Sequence, residues 1–292
     1  MSKFGWIGCG VMGRSMSEKL LEAGHELKVH TRTRVRAEPL LEAGAEWVDS
    51  PREAAEGVDA VFSIVGYPED VESVHLGPEG TLSAAMPPKF LIDLTTSDPD
   101  LALGIHERAS ERSVSAFDAP VSGGDVGARQ GTLSIMVGGD EHGFGAIRPW
   151  LELMGGTIVL QGGPGAGQRT KIVNQILVAA SMVGACEALR FTEAAGLDPA
   201  RVLESVSSGA AGSWTLSNLV PRILADDHEP GFFVEHFVKD LGIALRSARS
   251  MGLELPGLEH AESLYRAVEA AGYGRKGTQV LDRHLRETQK GS

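Results

Sequence analysis

Up to about residue 162 the chain alternates short apolar runs with helical patterns, and this alternation restricts its fold more than any other feature. Candidate strands are Phe4–Ile7, Leu27–Thr31, Ala60–Ile64, Phe90–Asp93, Ser115–Pro120, Leu133–Gly138 and Thr157–Leu160. Helical periodicity separates most of them, at Arg14–Ala23, Arg34–Ala43, Pro51–Ala55 and Pro99–Ser113. Strands alternating with helices build a mainly parallel sheet covered on both faces. After residue 162 no strand pattern stands out. Helical patterns run over Gln168–Ala195, Pro199–Ser207, Ser213–Ile223, Val238–Met251 and Leu258–Ala271, punctuated by Pro199, Pro221, Pro230 and Pro256. The expected class is α/β: a doubly wound parallel sheet over residues 1–162, then an all-α domain over 163–292, joined at the glycine-rich stretch Gln161 to Gly167.

Composition removes several function classes. The net charge of −12 lacks the basic excess that a nucleic-acid binder needs against phosphates. Glycine reaches 37 of 292 residues, about 13% against a usual ~7%, yet shows no Gly-x-y period. The uninterrupted apolar runs are too short to span a bilayer, so no membrane partner is expected. Cys9 and Cys186 are the only cysteines and lie far apart, which fits a reducing compartment without a disulfide framework. The segment Met1 to Ile7 lacks the charged-apolar-small order of a signal peptide, so the expected location is the cytoplasm. The nine histidines form no metal-like pair with a carboxylate, and no metal site is expected.

Gly8-Cys9-Gly10-Val11-Met12-Gly13 is a G-x-G-x-x-G motif between the first strand and the first helix. The first glycine permits a tight turn, the second lets a pyrophosphate approach the backbone, and the third lets helix and strand pack closely. The helix start adds N–H groups and the positive end of its dipole. In this strand-turn-helix setting the motif marks a Rossmann-type dinucleotide site. An NAD site usually places Asp or Glu about 20 residues further on. Here Val29 to Arg36 holds no carboxylate, and the charges between Leu27 and Ala37 are Lys28, Arg32, Arg34 and Arg36. Arginine attracts a 2′-phosphate that a carboxylate repels. NADP(H) is therefore the preferred cofactor, with Thr31, Arg32 and Thr33 around the phosphate and NAD(H) still possible. A solvated basic helix start is the alternative.

Two further segments carry candidate chemistry. Asp118-Ala119-Pro120-Val121-Ser122-Gly123-Gly124 ends a strand. The Ser122 hydroxyl and the Gly123-Gly124 backbone suit an anion such as a carboxylate; a structural glycine loop reads from the same spacing. Lys171 and Asn174 lie three apart near the start of the long helix, hence on one face. Ile172, Ile176, Leu177, Ala180 and Val183 are left for packing on other sides. A lysine here can protonate a carbonyl oxygen as it becomes an alcohol. Its ordinary pKa of about 10.4 would need lowering for base work at neutral pH, by burial or a nearby cation. On spacing alone, a surface lysine beside a helix-facing asparagine is the plainer reading. Trp214 and Asn218, at i and i+4, could line a substrate cleft; packing at a domain or subunit surface is the preferred reading for Trp214.

These motifs together resemble the β-hydroxyacid dehydrogenase family, which includes 3-hydroxyisobutyrate dehydrogenase and tartronate semialdehyde reductase and has a 6-phosphogluconate dehydrogenase-like fold. The marks are the glycine motif, Asp118 to Leu133 (DAPVSGGDVGARQGTL), Gly165 to Asn174 (GAGQRTKIVN) and Phe237-Val238-Lys239-Asp240-Leu241. The resemblance implies that Lys171 is the acid/base catalyst, that Ser122, Gly123 and Gly124 hold a substrate carboxylate, and that Asn174 assists. It places Lys239 near cofactor and substrate with Asp240 supporting it, and Thr96 against the cofactor. His30–Thr33 resembles the Trp-Asn-Arg-Thr of NADP-using members, with Thr31 in the Asn place. Two positions depart: Val65-Gly66 replaces a Leu-Pro on the nicotinamide side, and Cys9 replaces Leu. Lys171 separates the chain from the imine reductases, which carry another residue there.

The implied activity is interconversion of a short β-hydroxy acid and its semialdehyde, with substrate in a cleft between the domains. A non-catalytic NADP(H)-binding module on the same scaffold is the competing class. The long amphipathic helices point to a homodimer or homotetramer.

Overall fold

Strand β1 (Lys3–Ile7) is the centre from which the sheet is built. Phe4 and Trp6 point to one face and Ile7 to the other, all buried. The structure, a computed structural model, describes residues 1–289. They divide into two compact units, Met1–Lys171 and Ile172 onward.

In the first unit β1 is followed by α1 (Val11–Glu22), β2 (Glu26–His30), α2 (Glu38–Glu42), β3 (Glu46–Trp47), α3 (Pro51–Ala55), β4 (Ala60–Ser63), α4 (Pro68–Leu76), β5 (Phe90–Asp93) and α5 (Pro99–Ser110). Then come β6 (Ser115–Asp118), β7 (Val121–Ser122), α6 (Gly124–Gln130), β8 (Leu133–Gly138), α7 (Glu141–Leu151) and β9 (Gly155–Gly162). The sheet order is β3-β2-β1-β4-β5-β6-β8-β7, with β9 paired to β8. The strands from β3 to β6 are parallel; β8 runs antiparallel to β6 and β7 and parallel to β9. Period-2 alternation feeds two cores. Ala60, Phe62 and Ile92 join Phe4 and Trp6 on one side, while Val61 and Leu91 join Ile7 on the other. Doubly wound parallel geometry is thus confirmed.

Several helices carry no clear helical pattern in the sequence. α4 begins at Pro68, with Asp70 closing a capping box onto Tyr67. α6 is short, glycine-rich and ended by Gly131 in the left-handed region, φ 67°. α7 contains Gly143, Gly145 and Pro149, all of which weaken a helical signal. The expected strand to Pro120 stops at Asp118 and resumes as β7, since proline offers no N–H to a ladder.

Helix α8 (Ala166–Ala194) begins in the first unit and continues into the second. The second unit adds α9 (Pro199–Ser207), α10 (Trp214–Asn218), α11 (Val220–Leu224), α12 (Val234–Ser250), α13 (Pro256–Val268) and α14 (Leu281–Gln289). Among the described residues it contains no strand, only an isolated bridge between Phe233 and Gly277. The expected helix Ser213–Ile223 is two pieces, with Pro221 in the first turn of the second.

The expectation about membrane-sized segments is corrected. Asn174, Gln175 and Ser181 interrupt the apolar residues of α8, yet this 29-residue helix is long and apolar enough to cross a bilayer by composition. Its Ala179, Met182, Val183, Cys186 and Leu189 instead enter the second unit's core, as in a core helix. Ile172 and Ile176 pack against that core too, whereas Leu177 and Ala180 are exposed rather than packed.

Gly5 tests the tightness of the core on the Ile7 side of the sheet. A Cβ there would lie 2.2 Å from the Ala54 carbonyl oxygen of α3. Gly5→Ala should destabilise the fold by about 1–3 kcal/mol, the usual overpacking range, and lower the temperature of thermal unfolding.

Candidate active site

The glycine motif shows a division of labour. Gly8 has φ +101°, and a Cβ on it would meet the Ile64 carbonyl oxygen at 2.0 Å. A Cβ on Gly13 would meet the Gly8 carbonyl oxygen at 2.1 Å. These two glycines serve the turn and its packing. Gly10 has nothing within 4 Å of its Cβ position, so it faces the open space above the turn. It is also the N-cap of α1, has no side-chain capping bond and is followed by no acidic residue in the first turn. The helix start is thereby left for an anion. Val11 is exposed and Met12 half-buried. The Cys9 side chain lies in the core, where burial pushes its thiol up to about 12, leaving only its main chain for a ligand.

Beyond β2, Thr31 is half-buried, and Arg32 and Thr33 are exposed. Arg32 Nη1 lies 2.9 Å from Asp70 Oδ1, while Asp70 Oδ2 accepts from Tyr67 N at 3.2 Å. The rest of the basic stretch is dispersed. Lys28 Nζ donates to the Glu56 carbonyl at 2.9 Å, and the Arg34 guanidinium sits 5.1 Å from the Trp47 ring centroid. The run of like charges in the sequence is therefore not one patch.

A buried polar junction lies at the ends of β4, β5 and β6. Asp93 Oδ1 accepts from Ser63 Oγ at 2.8 Å and from Thr95 N at 3.2 Å. Thr95 Oγ1 accepts from Val65 N at 2.9 Å, so the loop holding Val65 is tied to the loop holding Thr96. Ser63 also contacts His75 Nε2, whose Nδ1 meets Thr81 Oγ1. Burial lowers His75 to about 4 and raises Asp93 to about 6. Asp118 then grips the start of α8: Oδ1 accepts from Gly165 N at 2.8 Å and Oδ2 from Gln168 N at 2.7 Å. Gln168 reaches back to β5, with Oε1 accepting from Ser97 N at 2.9 Å and Nε2 donating to the Thr95 carbonyl at 2.7 Å. Lys171 follows three residues later and is buried, only 7% exposed.

Ser122 is half-buried on β7. Gly123 (φ +128°) and Gly124 (φ +63°) turn the chain from β7 into α6 in a conformation that side chains rarely adopt.

In the second unit, half-buried Asn174 donates from Nδ2 to Gln175 Oε1 at 2.7 Å. Gln175 Nε2 donates to Asp240 Oδ2 at 2.7 Å, and Asp240 Oδ1 lies 3.1 Å from Lys239 Nζ. Three residues implied by the resemblance are thus strung together through Gln175. Trp214 is 60% exposed within the chain. Among the described residues no cluster of His, Cys, Asp or Glu is suited to a metal.

No motif in the sequence marks a role for Gln168, Gln175, Asp93 or Asp70. The available signal was spacing: Gln168 stands three before Lys171 and Gln175 four after it. That spacing sets both amides on the Lys171 side of α8 but does not reveal their partners.

The open space over Gly10 and the exposed arginine after β2 fit a dinucleotide. Comparison with known proteins agrees. Residues 3–163 match the NAD binding domain of 6-phosphogluconate dehydrogenase. Residues 165–285 match the NAD-binding region of NADP-dependent 3-hydroxyisobutyrate dehydrogenase. The chain is 48% identical over 281 residues to a probable 3-hydroxyisobutyrate dehydrogenase-like protein of Arabidopsis thaliana, covering 96% of this chain and 84% of that one. It is 40% identical over 270 residues to the 2-hydroxy-3-oxopropionate reductase of Escherichia coli, covering 92% of each. A Mycobacterium tuberculosis 3-hydroxyisobutyrate dehydrogenase structure with L-serine superposes with TM-score 0.89 at 30% identity, covering 98% of this chain and 99% of that one. The chain belongs to the β-hydroxyacid dehydrogenase family and is an NAD(P)-dependent dehydrogenase of the 3-hydroxyisobutyrate dehydrogenase type.

Burial raises Asp118 from the usual 3.8 to about 6, outweighing the backbone N–H groups that favour its charge. A carboxylate raised on folding contributes stability below its unfolded pKa, and that contribution is lost as pH rises through the folded value. The unfolding-temperature advantage of wild type over Asp118→Asn should shrink as pH is raised from about 4 to about 7. A constant difference across that window would refute the shift.

Proposed function

We propose that this enzyme interconverts a short β-hydroxy acid and its semialdehyde, with Lys171 as proton donor and acceptor and NADP(H) as the preferred cofactor. The observation that carries the reading is a buried lysine on a helix whose first turn is fixed to the β5 and β6 ends. The comparisons support the substrate class: 3-hydroxyisobutyrate dehydrogenase, 2-hydroxy-3-oxopropionate reductase and an L-serine-containing structure all name a short carboxylate with an oxygen function near it.

Residues 1–162 are assigned to cofactor binding and 163–292 to substrate binding and association. Gly8 to Gly13 would hold the pyrophosphate, Thr31, Arg32 and Thr33 the 2′-phosphate, and Val65, Thr96 and Lys239 the nicotinamide side. Bound there, the nicotinamide supplies or accepts the hydride. Ser122, Gly123 and Gly124 take the substrate carboxylate through a hydroxyl and main-chain N–H groups. Lys171 Nζ gives a proton to the carbonyl oxygen during reduction and takes it back during oxidation. Asn174 and Lys239 orient the substrate, and the chain through Gln175 and Asp240 holds both. The exposed Val173, Leu177 and Phe191 on α8 favour association as a homodimer or homotetramer.

A panel of hydroxyisobutyrate, glycerate, γ-hydroxybutyrate, sulfonate analogues and the matching semialdehydes, run with both cofactors, identifies the substrate. On the best of them, Lys171→Ala should lower kcat by roughly 10²-fold or more while NADP(H) still binds. Near-normal turnover would defeat the assignment.

Cofactor choice is tested separately. The exposed ion pair with Asp70 is weak and is readily exchanged for a phosphate. Arg32→Ala should weaken NADPH binding roughly tenfold while affecting NADH little. Equal losses for the two cofactors would show that Arg32 does not read the 2′-phosphate.

A further inference from the structure

We infer that Gln168 is a positioning residue for the reaction: its side-chain amide sets the Thr95–Ser97 loop against the helix turn that presents Lys171. The inference rests on the proposed proton-transfer role of Lys171.

The amide uses both of its ends on main chain. Oε1 accepts from Ser97 N at 2.9 Å, and Nε2 donates to the Thr95 carbonyl at 2.7 Å. These two bonds bracket Thr96. Gln168 is 1% exposed, so neither contact competes with bulk water. Its own N–H is held by Asp118 Oδ2, which fixes the backbone from which the side chain reaches. The first turn also has no slack. A Cβ on Gly167 would meet the Asp118 carbonyl oxygen at 2.3 Å and the Met136 carbonyl oxygen at 2.4 Å. Lys171 is one helical turn further along the same helix.

The loop on the other side is equally tied. Thr95 N is bonded to Asp93, and Thr95 Oγ1 accepts from Val65 N. Gln168 therefore joins two segments that each have hydrogen bonds of their own: the loops with Val65 and Thr96, and the turn leading to Lys171. A general acid works only within hydrogen-bond reach of the atom it protonates. A misplacement of about 1 Å can cost 10²-fold in rate. Serving as a connector between the two segments, Gln168 touches neither substrate nor the reacting atoms in this scheme.

Gln168→Met keeps the volume and removes both hydrogen bonds. Hydrogen–deuterium exchange of the cofactor-free protein should show at least tenfold faster exchange at the Ser97 amide, with faster exchange across Gly165–Lys171. At saturating substrate and cofactor, kcat per cofactor-binding site should fall roughly 10- to 100-fold. The kinetic isotope effect with deuterium at the cofactor's transferred position should stay at or above the wild-type value, because the slowed step is the chemical one. A purely structural Gln168 lowers the unfolding temperature but leaves kcat per site and the isotope effect unchanged. A kcat within threefold of wild type, an isotope effect falling toward one, or unchanged exchange at Ser97 overturns the proposal. If the Met variant does not fold, Gln168→Glu retains the acceptor for Ser97 and loses the donor to Thr95. Lowered kcat with an undiminished isotope effect then supports the inference, and wild-type values overturn it. Lys171→Ala assayed in parallel separates the two ideas. Turnover in that variant removes both, whereas its inactivity beside a wild-type-like Gln168→Met removes only the role of Gln168.

Discussion

The first unit depends on one buried carboxylate. Asp118 stands at the end of β6 and accepts from the N–H groups of Gly165 and Gln168, at the point where chain leaves the sheet and becomes α8. A helix start has N–H groups without intrahelical partners, and they must be satisfied if buried. Here the partner is a side chain from a strand, not a neighbour in sequence. The same carboxylate is kept charged by those N–H groups and discouraged from charge by its burial. Loops from β4 and β5 are joined to it through Asp93, Thr95 and Gln168. Every residue of the first unit assigned to the nicotinamide side or to proton transfer is carried by this junction.

The large glycine content separates into different uses. Gly5, Gly13 and Gly167 are there because carbonyl oxygens come too close for a Cβ. Gly123 and Gly124 are there because the chain turns through positive φ. Gly10 meets neither restriction; what sets it apart is its place as the N-cap of α1, where no side chain caps the helix start.

Much of the fold was legible in the sequence, because period-2 apolar runs and glycine motifs are local signals. Seven of the nine strands match the expected positions, the two-residue β3 and β7 being too short to show a pattern, and the parallel order from β3 to β6 follows from the helices between strands. What escaped had physical causes. α6 and α7 are built from glycine, proline and polar residues whose helicity comes from their surroundings. The site was legible by residue type but not by connection. Lys171, Asn174, Lys239 and Asp240 stood out, while Gln168 and Gln175, which hold their surroundings, did not. Glutamine has no strong positional preference, so its role shows only when its partners at 71 and 65 residues' separation are known. The basic stretch from Lys28 to Arg34 shows the reverse: charges close in sequence go to a carbonyl, a carboxylate and an indole ring in space.

The distance in sequence between Asp118 and the turn it caps has a consequence for the order of events in folding. Helices ended by their own N-cap residue can form that cap as soon as the local turn exists, as Asp98 does for α5. The start of α8 cannot. Its bonds to Asp118 span 47 and 50 residues, so a long loop must be closed before they form. They need the β6 end beside the start of α8. The turn that leads to the proposed catalytic lysine therefore depends on closing a long loop, not on its local sequence, to be capped.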